Sequence, residues 1–481
     1  MTDSISWAQL GSDITGDVLS FQLDVDARKL FVAKNGIYEN NGDPVNGTGE
    51  SASWTTDEPV SPFINGYQAQ GVGSQFNFGQ GDPDGENNFT DGNGRGGFRH
   101  EPPQGYVSLC TANLKDVDYA PIGPNSAAGT PDKHFDTLIW SGDGTSDRRI
   151  GGLNFQPDLI WGKVRDSDYS HALFDSVRGV GKQLYSDSTA AEAAVEGVTS
   201  FNADGVTVGS NRDFGNESSR EYVAWAWKAG NGTVVDTSGD LPATRSTNVD
   251  AGFSIILTEG TDANDQKIPH GLGKAPEWIM AKQLDNTYNW DAFHVDCTAG
   301  STLILNTTAA QDGTRDAFYN AGSGPVDSQF IYSKDENVTS GGGKRSIIYA
   351  WTSIEGYSKF GSYEGNSNAD NAFVYLGFRP AWVMIKNMDT IAEAGYGSWV
   401  IHDKYRPGYN TILHNTGVLY AESTRAEGHR PGGSDSASSE ITIDMLSNGF
   451  KVRNSSYEVG QPVTYIYIAF AEMPFKYANA R

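Results

Sequence analysis

One short pattern occurs three times in this chain, at Pro157-Asp158-Leu159-Ile160-Trp161-Gly162-Lys163, Pro276-Glu277-Trp278-Ile279-Met280-Ala281-Lys282 and Pro380-Ala381-Trp382-Val383-Met384-Ile385-Lys386. Proline, a large apolar residue, Ile or Val, and lysine recur at identical offsets. Each copy is followed, further on, by a similar aromatic segment: Tyr222-Val223-Ala224-Trp225, Tyr349-Ala350-Trp351 and Tyr467-Ile468-Ala469-Phe470. A chain built this way is a tandem array of one module. Leu159, Trp278 and Trp382 should then occupy matching buried positions. Such an array points to a scaffold or binder, since catalysis normally requires one asymmetric constellation of groups.

The 481 residues, with 57 glycines and 11% aromatics, are in keeping with many short strands joined by glycine-rich turns. Proline at the head of each repeated pattern is compatible with the first position of a strand, where no ladder donor is needed. In the closing segment of the third copy, Tyr465, Tyr467 and Ala469 alternate with Ile466, Ile468 and Phe470, so both faces are apolar and the strand is expected at the centre of a packed sheet. The expected class is all-β, with one β-sandwich per repeat, arranged as separate beads. Expected boundaries are 1–120 for an N-terminal β domain, then 131–232, 250–355 and 356–481 for the three repeats. Lys228 to Ser246 is the expected linker. Thr189-Ala190-Ala191-Glu192 and Thr308-Ala309-Ala310-Gln311 read as helix-capping boxes, whereas the expected counterpart in the third copy, Asn415-Thr416-Gly417-Val418, reads as a turn. Ahead of the repeats, Gly16 to Asp26 alternates and Lys34-Asn35-Gly36 supplies a hairpin turn, which implies an antiparallel meander.

With 35 Lys+Arg against 60 Asp+Glu, the net charge of -25 repels nucleic acid and anionic membrane surfaces. Cys110 and Cys297 are the two cysteines, too few for a disulfide framework or a cysteine metal site within a module. Met1 to Leu10 has neither the basic start nor the apolar run of a secretory leader, and no apolar stretch of membrane-spanning length follows. Synthesis in a cytoplasm, without membrane insertion, is expected.

Candidate chemistry is sparse. Asp175, Asp296 and Asp403 follow an apolar strand in each copy and precede a glycine turn, which reads as an Asx cap. His171, His294 and His402 lie at differing offsets from them, which argues against a shared His/Asp pair. The repeated Lys163, Lys282 and Lys386 read as strand-end lysines with solvated heads. Trp278, Trp382 and Trp399 fit either a core or a sugar-stacking platform. Asp82, Asp84 and Glu86 alternate on a glycine-rich acidic loop that resembles the start of a calcium loop but lacks the closing bidentate Glu; weak Ca2+ binding there is the one cofactor expectation. No catalytic residue is assigned.

The run Leu23-Asp24-Val25-Asp26, Leu30-Phe31-Val32-Ala33-Lys34-Asn35-Gly36, Phe76-Asn77-Phe78-Gly79-Gln80 and Pro102-Pro103-Gln104-Gly105-Tyr106 resembles the second half of a SPRY domain, and Leu109 to Leu114 resembles the tail of SPRY-like segments in tailed-phage virion proteins. Phe174-Asp175-Ser176-Val177-Arg178-Gly179, Ser200 to Val206 and Tyr222 to Gly230 resemble an uncharacterised repeat module found beside it in marine phages. The resemblance implies a recognition fold without catalysis, either truncated or completed by strands of another chain, in an exposed virion protein made in the host bacterial cytoplasm. It implies as partners other virion proteins, further copies of the chain and host-surface glycan. The alternatives are a capsid decoration protein and, from another class, a glycan depolymerase with paired carboxylates.

Overall fold

The protein, a computed structural model, is described here for residues 16–24, 26–54, 77, 88–108, 122, 126–230, 232–261, 263, 266–315, 317–318, 326–333, 338, 342–389, 397–406, 417–429 and 442–472. Among these residues the chain is all-β, with strands and short 3-10 turns and no α-helix. It divides into two compact units, Met1–Val117 and Asp118–Arg481.

In the first unit, Leu19–Asp24 pairs antiparallel with Lys29–Lys34, which pairs on with Ile37–Tyr38 and Ala52–Ser53. The Asn35-Gly36 turn has φ of 52° and 83° at its two central residues, the double positive φ of a type I′ hairpin turn. The expected meander is therefore present. Asp82, Asp84, Glu86 and Cys110 lie outside the described residues.

The second unit contains three sheets with one strand order. In the first module the opening strand Phe135–Ser141 pairs with the closing strand Glu221–Trp227, which pairs with the proline strand Leu159–Val164 and then the return strand Ala172–Asp175. The same antiparallel order joins Phe253–Glu259, Arg345–Trp351, Trp278–Gln283 and Asp291–His294 in the second module. In the third it joins Ser358–Glu364, Thr464–Ala471, Pro380–Asn387 and Trp399–Asp403. The registers correspond residue by residue: Leu159 lies opposite Trp227, Trp278 opposite Trp351, and Trp382 opposite Phe470. The segment expected as a linker, 228–246, instead runs into the hairpin Val234–Asp236 and Ala243–Asn248, which together with Leu303–Ile304 at the other edge widens the second sheet to seven strands.

Both faces of each sheet are covered, by different partners. Along the closing strands Tyr222, Ala224 and Ala226 enter one outer core, Ile348 and Ala350 a second, and Tyr465, Tyr467 and Ala469 a third. Each outer core is roofed by a smaller sheet: Arg148–Gly151 with Val198–Asn202 and Gly205–Val208, Gln266–Pro269 with Phe330–Ser333, and Phe373–Tyr375 with Ile443–Leu446 and Gly449–Val452. The alternate residues Val223, Trp225, Trp227, Ile347, Tyr349, Trp351, Ile466, Ile468 and Phe470 all enter a single inner core shared by the three modules. The modules are thus not separate beads. Their inner faces cover one another, with the Trp227 ring 6.1 Å from Trp351 and 5.6 Å from Phe470. Aromatic pairs at such spacing add about 0.5–1.5 kcal/mol each beyond area burial. Phe135, Phe253 and Phe360 extend the cluster as the neighbours of Trp227, Trp351 and Phe470 on their own sheets.

Local chemistry tunes the modules. Gly162 occupies the register held by Ala281 and Ile385, because the Phe214 ring fills its outer face; a Cβ there would meet that ring at 1.9 Å.

Candidate functional site

The residues repeated across the modules converge on the seams between sheets, so the seams are the place to look for chemistry. On each proline strand the side chains at the third and fifth positions of the pattern face the inner core, and the same alternation carries the seventh, Lys163, Lys282 and Lys386, into the interior, each at 0% exposure. The expectation of solvated heads is overturned. Lys282 Nζ donates to Gln283 O at 2.9 Å and to Thr189 O of the first module at 3.2 Å. Lys386 Nζ donates to Gly397 O at 2.6 Å and to Thr308 O of the second module at 3.2 Å. Lys163 Nζ donates to Val164 O at 2.6 Å and Ser167 O at 3.0 Å. Burial lowers Lys163 and Lys282 to about 8, and lowers Lys386 against the pull of Glu422 and Glu458. Carbonyl oxygens satisfy the ammonium donors, which is what makes such burial tolerable.

Two residues beyond each lysine, a backbone carbonyl accepts from the neighbouring module. The Glu192 N–H donates to Leu284 O at 2.8 Å, Gln311 N–H to Met388 O at 3.1 Å, and Glu427 N–H to Arg165 O at 2.7 Å. The first module thereby bonds to the second, the second to the third, and the third back to the first. This is a head-to-tail contact that closes after three copies, within one chain. A parallel set joins strand residues opposite the lysines to the same neighbours. Trp290 Nε1 donates to Tyr185 O at 2.7 Å and Trp399 Nε1 to Ile304 O at 3.2 Å. His171 takes that place in the first module: its Nδ1 accepts from Trp161 Nε1 at 3.0 Å, which makes Nε2 the N–H of the ring, turned toward the Tyr420 backbone of the third module. Burial holds His171 well below its ordinary value, so it is neutral. The backbone N–H of these three residues donates in turn to Asp187, Asn306 and Glu422. Burial raises Asp187 to about 6 and raises Glu422 as well.

The aspartates fall into two cases. Asp175 and Asp403 lie opposite Leu159 and Trp382, and each caps its turn by accepting two backbone N–H groups, from Val177 and Arg178 and from Tyr405 and Arg406. Each is also locked to the arginine three residues on, at side chains buried to 1% or less. Their second oxygens reach the next module, Asp175 accepting from Tyr349 Oη at 2.7 Å and Asp403 from Trp225 Nε1 at 2.9 Å. Asp296 is not the third member. The residue opposite Trp278 is His294, and Asp296 is exposed beyond it. His294 Nδ1 accepts from Asp296 N–H and its Nε2 faces Tyr467 O at 3.3 Å; burial lowers it to about 4. Cys297 stands where Arg178 and Arg406 stand in the other copies, and burial raises its thiol to about 11, far from a reactive thiolate.

Trp278, Trp382 and Trp399 are core residues, exposed 2%, 1% and 0%, and form no sugar platform. The residues read as capping boxes form no helix; they are the extended segments that carry the seam bonds. The third copy of that segment is Leu419 to Glu427, not Asn415 to Val418. Leu184, Leu303 and Leu419 each precede Glu192, Gln311 and Glu427 by eight residues, a regularity visible in the sequence. It is hidden because 16 residues separate Asp403 from Leu419 where 9 separate Asp175 from Leu184 and His294 from Leu303. Among the described residues there is no cluster of three or more His, Cys, Asp or Glu arranged for a metal ion, and no helix long and apolar enough to cross a membrane.

The whole three-module ring, rather than one module, is the unit matched by a family model described as "Domain of unknown function (DUF7483)", over residues 130–474. The chain belongs to this family. Neither the curated proteins nor the solved structures yielded a match. The DUF7483 match begins just before the opening strand Phe135–Ser141 and ends just after the closing strand Thr464–Ala471, so the matched span takes in all three modules.

Proposed function

We propose that this chain is a non-enzymatic structural protein of a tailed-phage virion, displayed on the particle surface as a fibre or appendage and used in assembly or host-surface contact. The observation that carries the non-enzymatic reading is the use made of the repeated polar residues. The lysines, the Asp–Arg pairs, the tryptophan and histidine donors are bonded across or along the seams of one closed ring. A depolymerase needs two carboxylates facing one cleft. Here the buried Asp175 and Asp403 are each already held by an arginine and by a donor from another module.

The virion part of the reading rests on the SPRY-like and phage-module resemblances of the sequence. Its partners are other virion proteins, further copies of the chain and host-surface glycan. Since the seam surfaces close within one chain, further copies associate through other surfaces, the N-terminal unit among them. Mass spectrometry and electron cryomicroscopy of purified particles test the proposal. A surface density of three lobes that fits residues 130–474 is the expected result, and absence of the chain from purified particles sinks it. Hydrolysis of host polysaccharide by the purified chain would favour the depolymerase instead.

A further inference from the structure

The three small roofing sheets share a register but differ in what they display outward. Ile150, Ile268 and Val374 point into their outer cores. The flanking positions hold the exposed Arg149 and Gly151 in the first module, the exposed Lys267 and the buried Pro269 in the second, and the exposed Phe373 and Tyr375 in the third. The fold therefore does not require aromatic residues at this place, because two of its three copies do without them. Phe373 and Tyr375 are 47% and 60% exposed and lie on one face of an edge strand, about 7 Å apart by strand geometry.

The surroundings keep the rings open and add charge. Tyr375 lies opposite Gly449, and the position occupied by a Cβ on Gly377 is 3.7 Å from the Tyr375 hydroxyl, so glycines flank it. A glycine opposite a glycine, Gly151 and Gly205, fills the same register in the first module without any aromatic cover. Lys359 Nζ is 5.4 Å above the Tyr375 ring and donates to Tyr375 O at 2.8 Å. Among the described residues Lys359 makes no ion pair, whereas Lys451, opposite Phe373, is paired with Asp370 at 2.7 Å. Lys359 is thus a cation without an acidic partner among the described residues, held against the exposed Tyr375 ring beside Phe373.

We propose that Phe373, Tyr375 and Lys359 form a platform for an acidic polysaccharide of the uronate type. The C–H faces of successive sugar rings lie on the two aromatic rings, and a uronate carboxylate meets the Lys359 ammonium. The inference deepens the host-contact reading and rests on it. A neutral glucan lacks the anion, and a peptide strand added to the edge would use the backbone of Phe373–Tyr375 and not its side chains.

The test is affinity electrophoresis of the full chain in gels containing alginate or dextran. Retardation by alginate, and weaker retardation by dextran, is expected. F373T/Y375T, which replaces the rings by β-branched residues that still favour a strand, should lose at least about tenfold of alginate affinity, and K359Q about threefold with dextran binding unchanged. Unchanged alginate binding in the double variant, at unchanged thermal unfolding, overturns the platform. Equal binding of dextran and alginate, or no effect of K359Q, overturns the acidic assignment. Incorporation of F373T/Y375T into particles is scored in parallel: if the variant chain is incorporated but binds alginate as before, this inference fails while the virion reading stands.

Discussion

Two of the three seams in this ring hold a buried Asp–Arg pair and one does not. At the seam from the first module to the second, Asp175, Arg178 and Glu192 form a buried ionic group, with Tyr349 across the seam and Arg345 alongside. The seam from the third to the first repeats it with Asp403, Arg406, Glu427, Trp225 and Arg165. From the second to the third, the corresponding residues are His294, Cys297 and Gln311. The cause lies on the facing strand. Tyr349 and Trp225 offer a donor to a carboxylate, but their counterpart is Ile468, which offers none, and a buried Asp facing it would lack that partner. A neutral imidazole that donates to the Tyr467 carbonyl suits that seam. Symmetry of the backbone ring is thus compatible with different polar solutions, provided each solution is complete.

The largest expected effect comes from breaking a charged seam. Arg406→Met leaves Asp403 buried without its cation and should cost about 3–5 kcal/mol, whereas Cys297→Ala at the equivalent position should cost less than about 2 kcal/mol. Urea denaturation midpoints measure both; similar losses would erase the distinction between seams. His294→Asp, which imports the acid of the charged seams without their arginine or donor, should cost about as much as Arg406→Met.

Acid titration sharpens the comparison with two opposite signs. The folded value of His294 is lowered to about 4 from 6.5, so its contribution is present above pH 6.5 and is lost as pH falls toward 4. Asp187 is raised from 3.8 to about 6, so its contribution is present below pH 3.8 and is lost as pH rises through 6. In unfolding measured between pH 4 and 6.5, His294→Gln should flatten the acid loss by up to about 3 kcal/mol, and Asp187→Asn, which copies Asn306, should steepen it by about 2–3 kcal/mol. The same sign for both variants would contradict this assignment.

The smallest effect belongs to the rim. Arg345→Gln removes the ion pairs to Asp285 and Glu192 from an arginine that is 43% exposed, and should cost less than about 1 kcal/mol and disappear in high salt. A salt-independent loss would place that arginine in the buried group.

Much of this was legible in the chain. The thrice-repeated proline pattern, the two-sided apolar closing strands, the Asn35-Gly36 hairpin and the Asx caps at Asp175 and Asp403 are set by residues close in sequence, and local physics decides them: a pleat alternates faces, proline donates nothing, and an Asp side chain bonds its own turn. What covers the second apolar face was decided only by the tertiary structure, because an apolar face specifies burial and not the surface that buries it. The same holds for Lys163, Lys282 and Lys386. A lysine stem accepts either water or interior at its tip, and the carbonyl that brings Lys282 inside, Thr189 O, is 93 residues away. Sequence alone determined three equivalent, two-faced sheets; only their closure into a ring decided that the seam from the second module to the third lacks the Asp–Arg pair and that the repeated lysines are dry, since both depend on which strand of another module stands opposite.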